Sequence, residues 1–187
     1  MLATPWNSGL AGELRAQFGD AILECSTYLE QNFVVVHPDI AIAALEFLKQ
    51  VRAFETIVDI TAVDHLPVAP PAGPHAPPPP ASMALEGGDR FELIYIVYSR
   101  ARGERLRIKT RVHDGFEPDS AVPVYAGANW MEREVFDMFG IRFAGHPDLR
   151  RILLPDEWKG HPLRKDSSIL AMDQDWVKEN LGIESGQ

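Results

Sequence analysis

Residues 105 to 112, RLRIKTRV, alternate without a break. Leu106, Ile108, Thr110 and Val112 fall on one side of an extended chain, and Arg105, Arg107, Lys109 and Arg111 on the other. A period of two is a strand, because successive Cβ atoms leave opposite faces of the pleat. The apolar row must be buried while the cationic row stays outside, so the strand is half-buried. The turn RARGE joins it to FELIYIVYS, residues 91 to 99, apolar on both faces and so read as a central strand. Such a pair needs further strands beside it and a covering layer on one side. The cationic row has two readings, a solvated face that protects the sheet from aggregation or a docking surface for an acidic partner.

The upstream chain supplies the missing layers. GLAGELRAQF, residues 9 to 18, places Leu10, Leu14 and Phe18 on one stripe of a short helix. AILECSTYL and FVVVH read as strands, with Glu30, Gln31 and Asn32 as the turn between them. His37-Pro38-Asp39 opens a helix running to about Val51, with Ile42, Leu45, Phe47 and Leu48 as its apolar contacts. The β-branched TIVDITAVD is the next strand. Helix, two strands, helix and three strands predict an α+β fold. It is a two-layer domain over residues 1 to 128, with a mixed or antiparallel sheet of about five strands and helices on one face. Residues 67 to 89 contain eight prolines in 23 positions, so neither helix nor strand runs through them. They read as an exposed insertion loop.

Residues 129 to 166, NWMEREVFDMFGIRFAGHPDLRRILLPDEWKGHPLRKD, form a different unit. Seven cations meet seven carboxylates there, so the stretch is neutral and the remaining chain carries the whole net charge of −9. Asn129 and Glu132 have capping-box spacing. A helix from Trp130 to about Phe139 stops at Gly140. Trp130, Arg133, Glu134 and Asp137 share one face, with Met131, Val135, Met138 and Phe139 as the apolar contacts. Arg133 and Asp137 are spaced i, i+4, the distance of an intrahelical ion pair. Beyond Gly140, glycines and prolines punctuate an extended arm whose amides and carbonyls need partners. Arg150, Arg151, Arg164, Lys165 and Asp166 are suited to satisfy them, and Trp158 is a flat aromatic of the type enriched in interfaces. Residues 167 to 187 form a tail.

Several function classes are excluded by residue content. A net charge of −9 opposes nucleic-acid binding, which needs a cationic field. No apolar run reaches the roughly 18–20 residues of a membrane helix, and the first 20 residues have neither signal nor transit character. The single cysteine, Cys25, precludes an internal disulfide and a self-contained iron–sulfur cluster, and its strand context reads as a buried inert thiol. Glu132, Glu134, Asp137, His146 and His161 could be imagined as a hydrolytic metal site, but none has the i, i+4 histidine spacing of such helices. His146 and His161 each stand in a Gly-His-Pro turn, a hydrogen-bonding position. No P-loop or dinucleotide fingerprint is present.

The run EREVFDMFGIRFAGHPDLRRILLPDEWKGHPLRKD resembles the signature of the 30-kDa subunit family of respiratory complex I, NADH:quinone oxidoreductase. With the ITAVD strand and the following hairpin, the resemblance covers roughly residues 10 to 166. It implies a cofactor-free subunit of the peripheral, hydrophilic arm that supports electron transfer from NADH to quinone in a proton-translocating complex. FMN, iron–sulfur clusters and quinone are then expected in partner subunits. The implied neighbours are the 49-kDa subunit and the one that holds the terminal iron–sulfur cluster. The resemblance places the chain on the cytoplasmic face of a bacterial inner membrane, attached only through the complex. In the family the signature segment reaches over the 49-kDa subunit, so the expected interface residues are Trp130, Arg133, Glu134, Asp137, His146, Arg150, Arg151, Trp158, His161, Arg164, Lys165 and Asp166. An equivalent subunit of a membrane-bound hydrogenase or other-donor complex is the alternative, because the donor is recognised elsewhere.

Overall fold

A computed structural model describes residues 3–66, 88–167 and 178. Most of the proline-rich insertion and of the tail lies outside the described residues. The domain is α+β, with a six-stranded sheet in the order β1-β2-β3-β6-β5-β4. Its strands are β1 (Thr4–Pro5), β2 (Ile22–Tyr28), β3 (Gln31–Val36), β4 (Thr56–Asp64), β5 (Phe91–Ser99) and β6 (Glu104–Val112). The sheet is mixed: β3 and β6 run parallel, and every other neighbouring pair is antiparallel. The strand beyond the five expected is the two-residue β1, too short to carry any alternation; it pairs with Ser26 and Thr27.

The β2–β3 turn is tighter than the sequence predicts. Tyr28 faces Gln31 directly, and Leu29 and Glu30 carry the turn with φ of 48° and 61°. Two successive left-handed residues give the twist that a two-residue hairpin requires. Gln31 and Asn32 therefore belong to β3. The β5–β6 hairpin lies between β3 and β4, so the helical connection from β3 to β4 crosses over two interposed strands. This topology makes β6, the strand with the cationic row, an interior strand flanked by β3 and β5.

Three helices supply the second layer: α1 (Gly9–Phe18), α2 (Ala41–Arg52) and α3 (Ala128–Phe139). Ser8 caps α1 by accepting from the Ala11 amide at 3.1 Å. Pro38–Ile40 form a 3-10 turn before α2, which ends at a left-handed Ala53. Leu10 and Leu14 of α1, Leu45 and Leu48 of α2, and Val135 and Phe139 of α3 join one core with Leu93, Tyr95, Val97, Leu106 and Ile108. The helices thus cover one face. Phe18 is half-buried and meets Phe47 edge-on at 5.9 Å, joining α1 to α2. Cys25 is buried on β2, where burial pushes its thiol pKa up.

The capping box does not form. The α3 N-cap is Gly127, without a side-chain cap, because the Glu132 carboxylate is buried and engaged by the preceding loop. At the other end Gly140 is left-handed at φ 77° and its amide reaches Phe136 O at 2.8 Å. A Cβ on Gly140 would stand 2.6 Å from the His161 ring. The stop signal is therefore also a close approach. Beyond it, Ala144 returns to bridge Asp119, which ties the start of the arm to the loop ahead of α3.

Candidate functional site

Two clusters hold the arm against the domain. The first is built on Asp137, fully buried on the last turn of α3. Its Oδ2 accepts from three consecutive amides, Ile152 at 3.0 Å, Leu153 at 2.8 Å and Leu154 at 2.9 Å. Successive amides converging on one oxygen make an anion-binding nest, here occupied from within the chain. Arg151 completes it, donating to Asp137 Oδ1 at 2.7 Å and to Gly160 O at 3.0 Å. Burial alone would raise the Asp137 pKa, but the three amides and Arg151 together lower it. His161 sits on the Asp137 carbonyl through Nδ1 at 2.9 Å.

The intrahelical Arg133–Asp137 pair therefore does not form, because Asp137 is taken by the arm. Arg133 instead donates to the carbonyls of Arg150 and Arg151 at 3.2 and 3.3 Å. One helix turn thus serves both polarities of the arm's irregular backbone, Asp137 for its amides and Arg133 for its carbonyls.

The second cluster lies where three strands end. Asp64 closes β4, Arg90 precedes β5 and Asp114 follows β6. The buried Arg90 grips Asp64 with Nε at 3.1 Å and Nη2 at 2.8 Å. It grips Asp166 of the arm with Nη1 at 2.9 Å and Nη2 at 2.6 Å, and also reaches Asp114 at 3.0 Å. Asp64 accepts from the Lys165 amide at 2.9 Å. Arg164 pairs with Asp114 and donates to Phe139 O at 3.3 Å. Burial works to lower the Arg90 pKa, yet the hydrogen bonds and charges of Asp166 and Asp64 outweigh it and raise it. Hydrogen bonding to Arg90 lowers the Asp166 pKa; for Asp64, burial pushes upward but Arg90 and the Lys165 and Leu66 amides prevail.

A third contact secures the front of α3. Glu132, with no exposed surface, accepts from Ser120 Oγ at 2.7 Å and from the Ala121 amide at 2.6 Å. His146 Nε2 lies 3.9 Å from Glu132 and 3.1 Å from Asn129 O, while its Nδ1 accepts from the Asp148 amide at 3.0 Å. That acceptance makes Nε2 the protonated nitrogen of a neutral ring. Burial pushes the Glu132 pKa up to about 7, against its two hydrogen bonds. The unfolded chain releases this proton near 4.5, and the folded chain holds it until about 7. Stability from Glu132 is thus greatest below the unfolded value and declines as pH rises to 7, by roughly 3 kcal/mol in all. Urea unfolding at pH 5 and pH 8 is expected to show this decline in the native chain and a flatter profile in Glu132→Gln.

The expected interface residues fall into two groups. Arg133, Asp137 and His146 are turned inward, and Arg151, His161, Arg164 and Asp166 are half-buried in the clusters described. Trp130, Glu134, Arg150 and the Lys165 side chain are exposed, and Trp158 is half-buried. Arg150 engages Asp148 at 3.0 Å in solvent, and Arg133 lies 5.0 Å from the Trp130 ring centre. Asp64, Arg90 and Asp114 escape sequence reasoning, although each stands at the end of an apolar run. Among the described residues, no group of three or more His, Cys, Asp or Glu side chains converges as a metal donor set. The arrangement is suited to holding a segment in place.

The profile of the family described as "Respiratory-chain NADH dehydrogenase, 30 Kd subunit" matches residues 34–172. An NADH-quinone oxidoreductase subunit of Trichlorobacter lovleyi is 43% identical over 170 residues, covering 90% of this chain and 94% of that protein. The corresponding NADH-quinone oxidoreductase subunit of Geotalea uraniireducens is 36% identical over 170 residues, covering 90% and 92%. A chain in the solved structure of an archaeal membrane-bound sulfane sulfur reductase superposes with a TM-score of 0.67 at 22% identity, covering 93% of this chain and 90% of that one.

Proposed function

The chain belongs to the 30-kDa subunit family of respiratory-chain NADH dehydrogenase, and on that basis we propose that it is a cofactor-free assembly subunit in the peripheral arm of a proton-translocating NADH:quinone oxidoreductase. It supports electron transfer from NADH to quinone by positioning its neighbours, which carry FMN, the iron–sulfur clusters and the quinone site. Its partners are the 49-kDa subunit and the one that holds the terminal iron–sulfur cluster, at the cytoplasmic face of a bacterial inner membrane. Among the described residues no helix is long and apolar enough to cross a membrane; in this reading attachment runs through the complex.

The observation that carries this reading is the fixed arm with apolar side chains turned outward. Trp130 is 62% exposed, Leu153 61% and Leu163 53%. The charged groups nearest them are consumed in holding the backbone. An ordered segment that holds three large apolar side chains in solvent is a preformed docking element, since its ordering entropy is already spent before a partner arrives.

The test is co-purification from membranes, with Trp130→Ala beside the native chain. Truncating an interface tryptophan typically costs about 2 kcal/mol or more in binding. Its exposed stacking on Arg133 is worth only about 0.5–1 kcal/mol to the fold. Loss of complex incorporation and of NADH:quinone activity at nearly unchanged stability is expected. A native chain that never co-purifies with the 49-kDa subunit overturns the reading. The second reading is an equivalent position in a membrane-bound hydrogenase or other-donor complex, because the donor is recognised outside this chain; the fold shared with a chain of a sulfane sulfur reductase is compatible with either. Purified complex that reduces quinone with a different donor and not with NADH selects it.

A further inference from the structure

We propose that the helix-free face of the sheet, along β6, docks an acidic helix of a neighbouring subunit. This rests on the complex membership proposed above. All three helices share one core, so among the described residues the opposite face of the sheet is left without a covering layer. By register that face carries Arg105, Arg107, Lys109 and Arg111 on β6, between Phe33 and Val35 of β3 and Ile94, Ile96 and Tyr98 of β5. Glu92 is the one carboxylate that these three strands turn the same way, and it is engaged by Lys109 at 3.1 Å and approached by Arg111 at 3.9 Å. Among the described residues neither Arg105 nor Arg107 has an ion-pair partner. Both line an open cavity of about 450 Å³ whose rim also holds Glu30 and Glu104, the latter paired with Arg102 at 3.1 Å.

Protection from edge-to-edge aggregation does not account for this row. Charges serve that purpose on edge strands, whereas β6 lies between β3 and β5 in the interior. Concentrating cations there in a chain of net charge −9 calls for a complementary anion. The flanking residues give the face its apolar content: Val35 is buried, Phe33, Ile94, Ile96 and Tyr98 are half-buried, and the Lys109 ammonium stands 4.7 Å from the Phe33 ring centre. Cationic side chains with long aliphatic stems shelter such residues until a partner replaces the water.

Spacing identifies the kind of partner. Alternate residues along a strand recur about every 6.7 Å, and residues four apart on a helix recur about every 6 Å. A helix with Asp or Glu at i, i+4 and i+8, laid along β6, therefore brings a carboxylate to successive cations. Apolar residues beside that stripe meet Ile94, Ile96 and Phe33. Such a helix is the second covering layer that the sheet lacks. An anionic membrane fits less well, because the net negative chain is repelled from it and the cationic row is one strand wide.

The experiment compares the complex, purified through another of its subunits, with the isolated full chain. Both are treated with an arginine-selective dicarbonyl reagent, and a photo-crosslinking residue at Ile96 captures the neighbour. Arg105 and Arg107 are expected to react at least about tenfold more slowly in the complex, and the captured peptide to carry carboxylates at helical spacing. The double variant Arg105→Glu/Arg107→Glu is expected to unfold at the native temperature yet to enter the complex at least about tenfold less well. Equal reactivity in both preparations, with the chain present in the complex, overturns this inference and leaves the complex reading intact. A chain absent from the complex overturns both. Protection in the isolated chain that vanishes when residues 168–187 are removed assigns the face to the chain's own tail. Protection that grows with chain concentration assigns it to a second copy, and binding to phosphatidylglycerol vesicles that the double variant loses assigns it to lipid. Each of these also overturns the proposal.

Discussion

Arg90→Ala is expected to lose about 3–5 kcal/mol of stability at pH 7, because it leaves the buried Asp64 carboxylate without its counter-charge. The Arg90 side chain is 5% exposed and its partner Asp64 1%. Asp166 and Asp114 lose one of their two cations and retain only Arg164. Against a typical total of about 5–15 kcal/mol, a loss of that size leaves many chains unfolded at physiological temperature. Arg90→Lys keeps the charge but not the planar fork that grips two carboxylates at once, so it should fall between. Urea titrations of the three proteins measure the order, and an alanine variant within about 1 kcal/mol of the native chain refutes it. A pH signature accompanies the effect. Asp64 and Asp166 have lowered pKa values when folded, so their stabilisation is present above the unfolded value near 3.8 and disappears as pH falls through the folded one. Without Arg90 that acid-side decline should flatten.

Asp137→Ala is the second large effect, with a different outcome. It orphans the amides of Ile152, Leu153 and Leu154 and leaves Arg151 without its carboxylate. A loss of about 3–5 kcal/mol is expected for the latch itself. The sheet and the α1 and α2 core make no use of Asp137, so damage should concentrate in residues 150–163. Hydrogen exchange should show protection lost at 152–154 while β5 and β6 stay protected. Asp137→Asn should be milder, since its amide oxygen still accepts from the nest although its NH₂ group then confronts Arg151. Unchanged protection at 152–154 in the alanine variant sinks the latch assignment.

The sheet was largely legible because its determinants are local. RLRIKTRV alternates over eight residues, and its neighbour FELIYIVYS is apolar on both faces apart from Glu92 and the terminal Ser99, so each reveals its own burial. The Leu29–Glu30 turn was not, since neither residue belongs to the usual left-handed set and only the register shows that they must turn. On α3 the spacing rules pointed to the wrong partners. Asn129 and Glu132 have the spacing of a cap, and Arg133 and Asp137 that of a pair, yet tertiary contacts claimed Glu132, Arg133 and Asp137. Spacing on one helix records what a side chain could reach if nothing else were near. The Arg90 cluster was illegible for the complementary reason: Asp64 and Asp166 stand 26 and 76 positions from Arg90 and meet it only once the strand order is known. A usable signal was the charged residue at the end of each apolar strand, although strand ends are commonly charged.

The Lys165–Asp64 bond, which spans 101 positions of sequence, sets an order in time. Chains emerge N-terminal end first, and contacts so distant form late because loop closure must precede them. During synthesis Asp64 and Arg90 appear long before Asp166, so the sheet can form while the arm is still unfastened. For that interval residues 155–166 lack their fastening to the strand ends, although Asp137 can already hold the amides of 152–154. A binding partner present at that moment meets an arm still open, and one arriving later meets an arm already shut. Subunits made together from adjacent messages would therefore join differently from subunits mixed after each has folded.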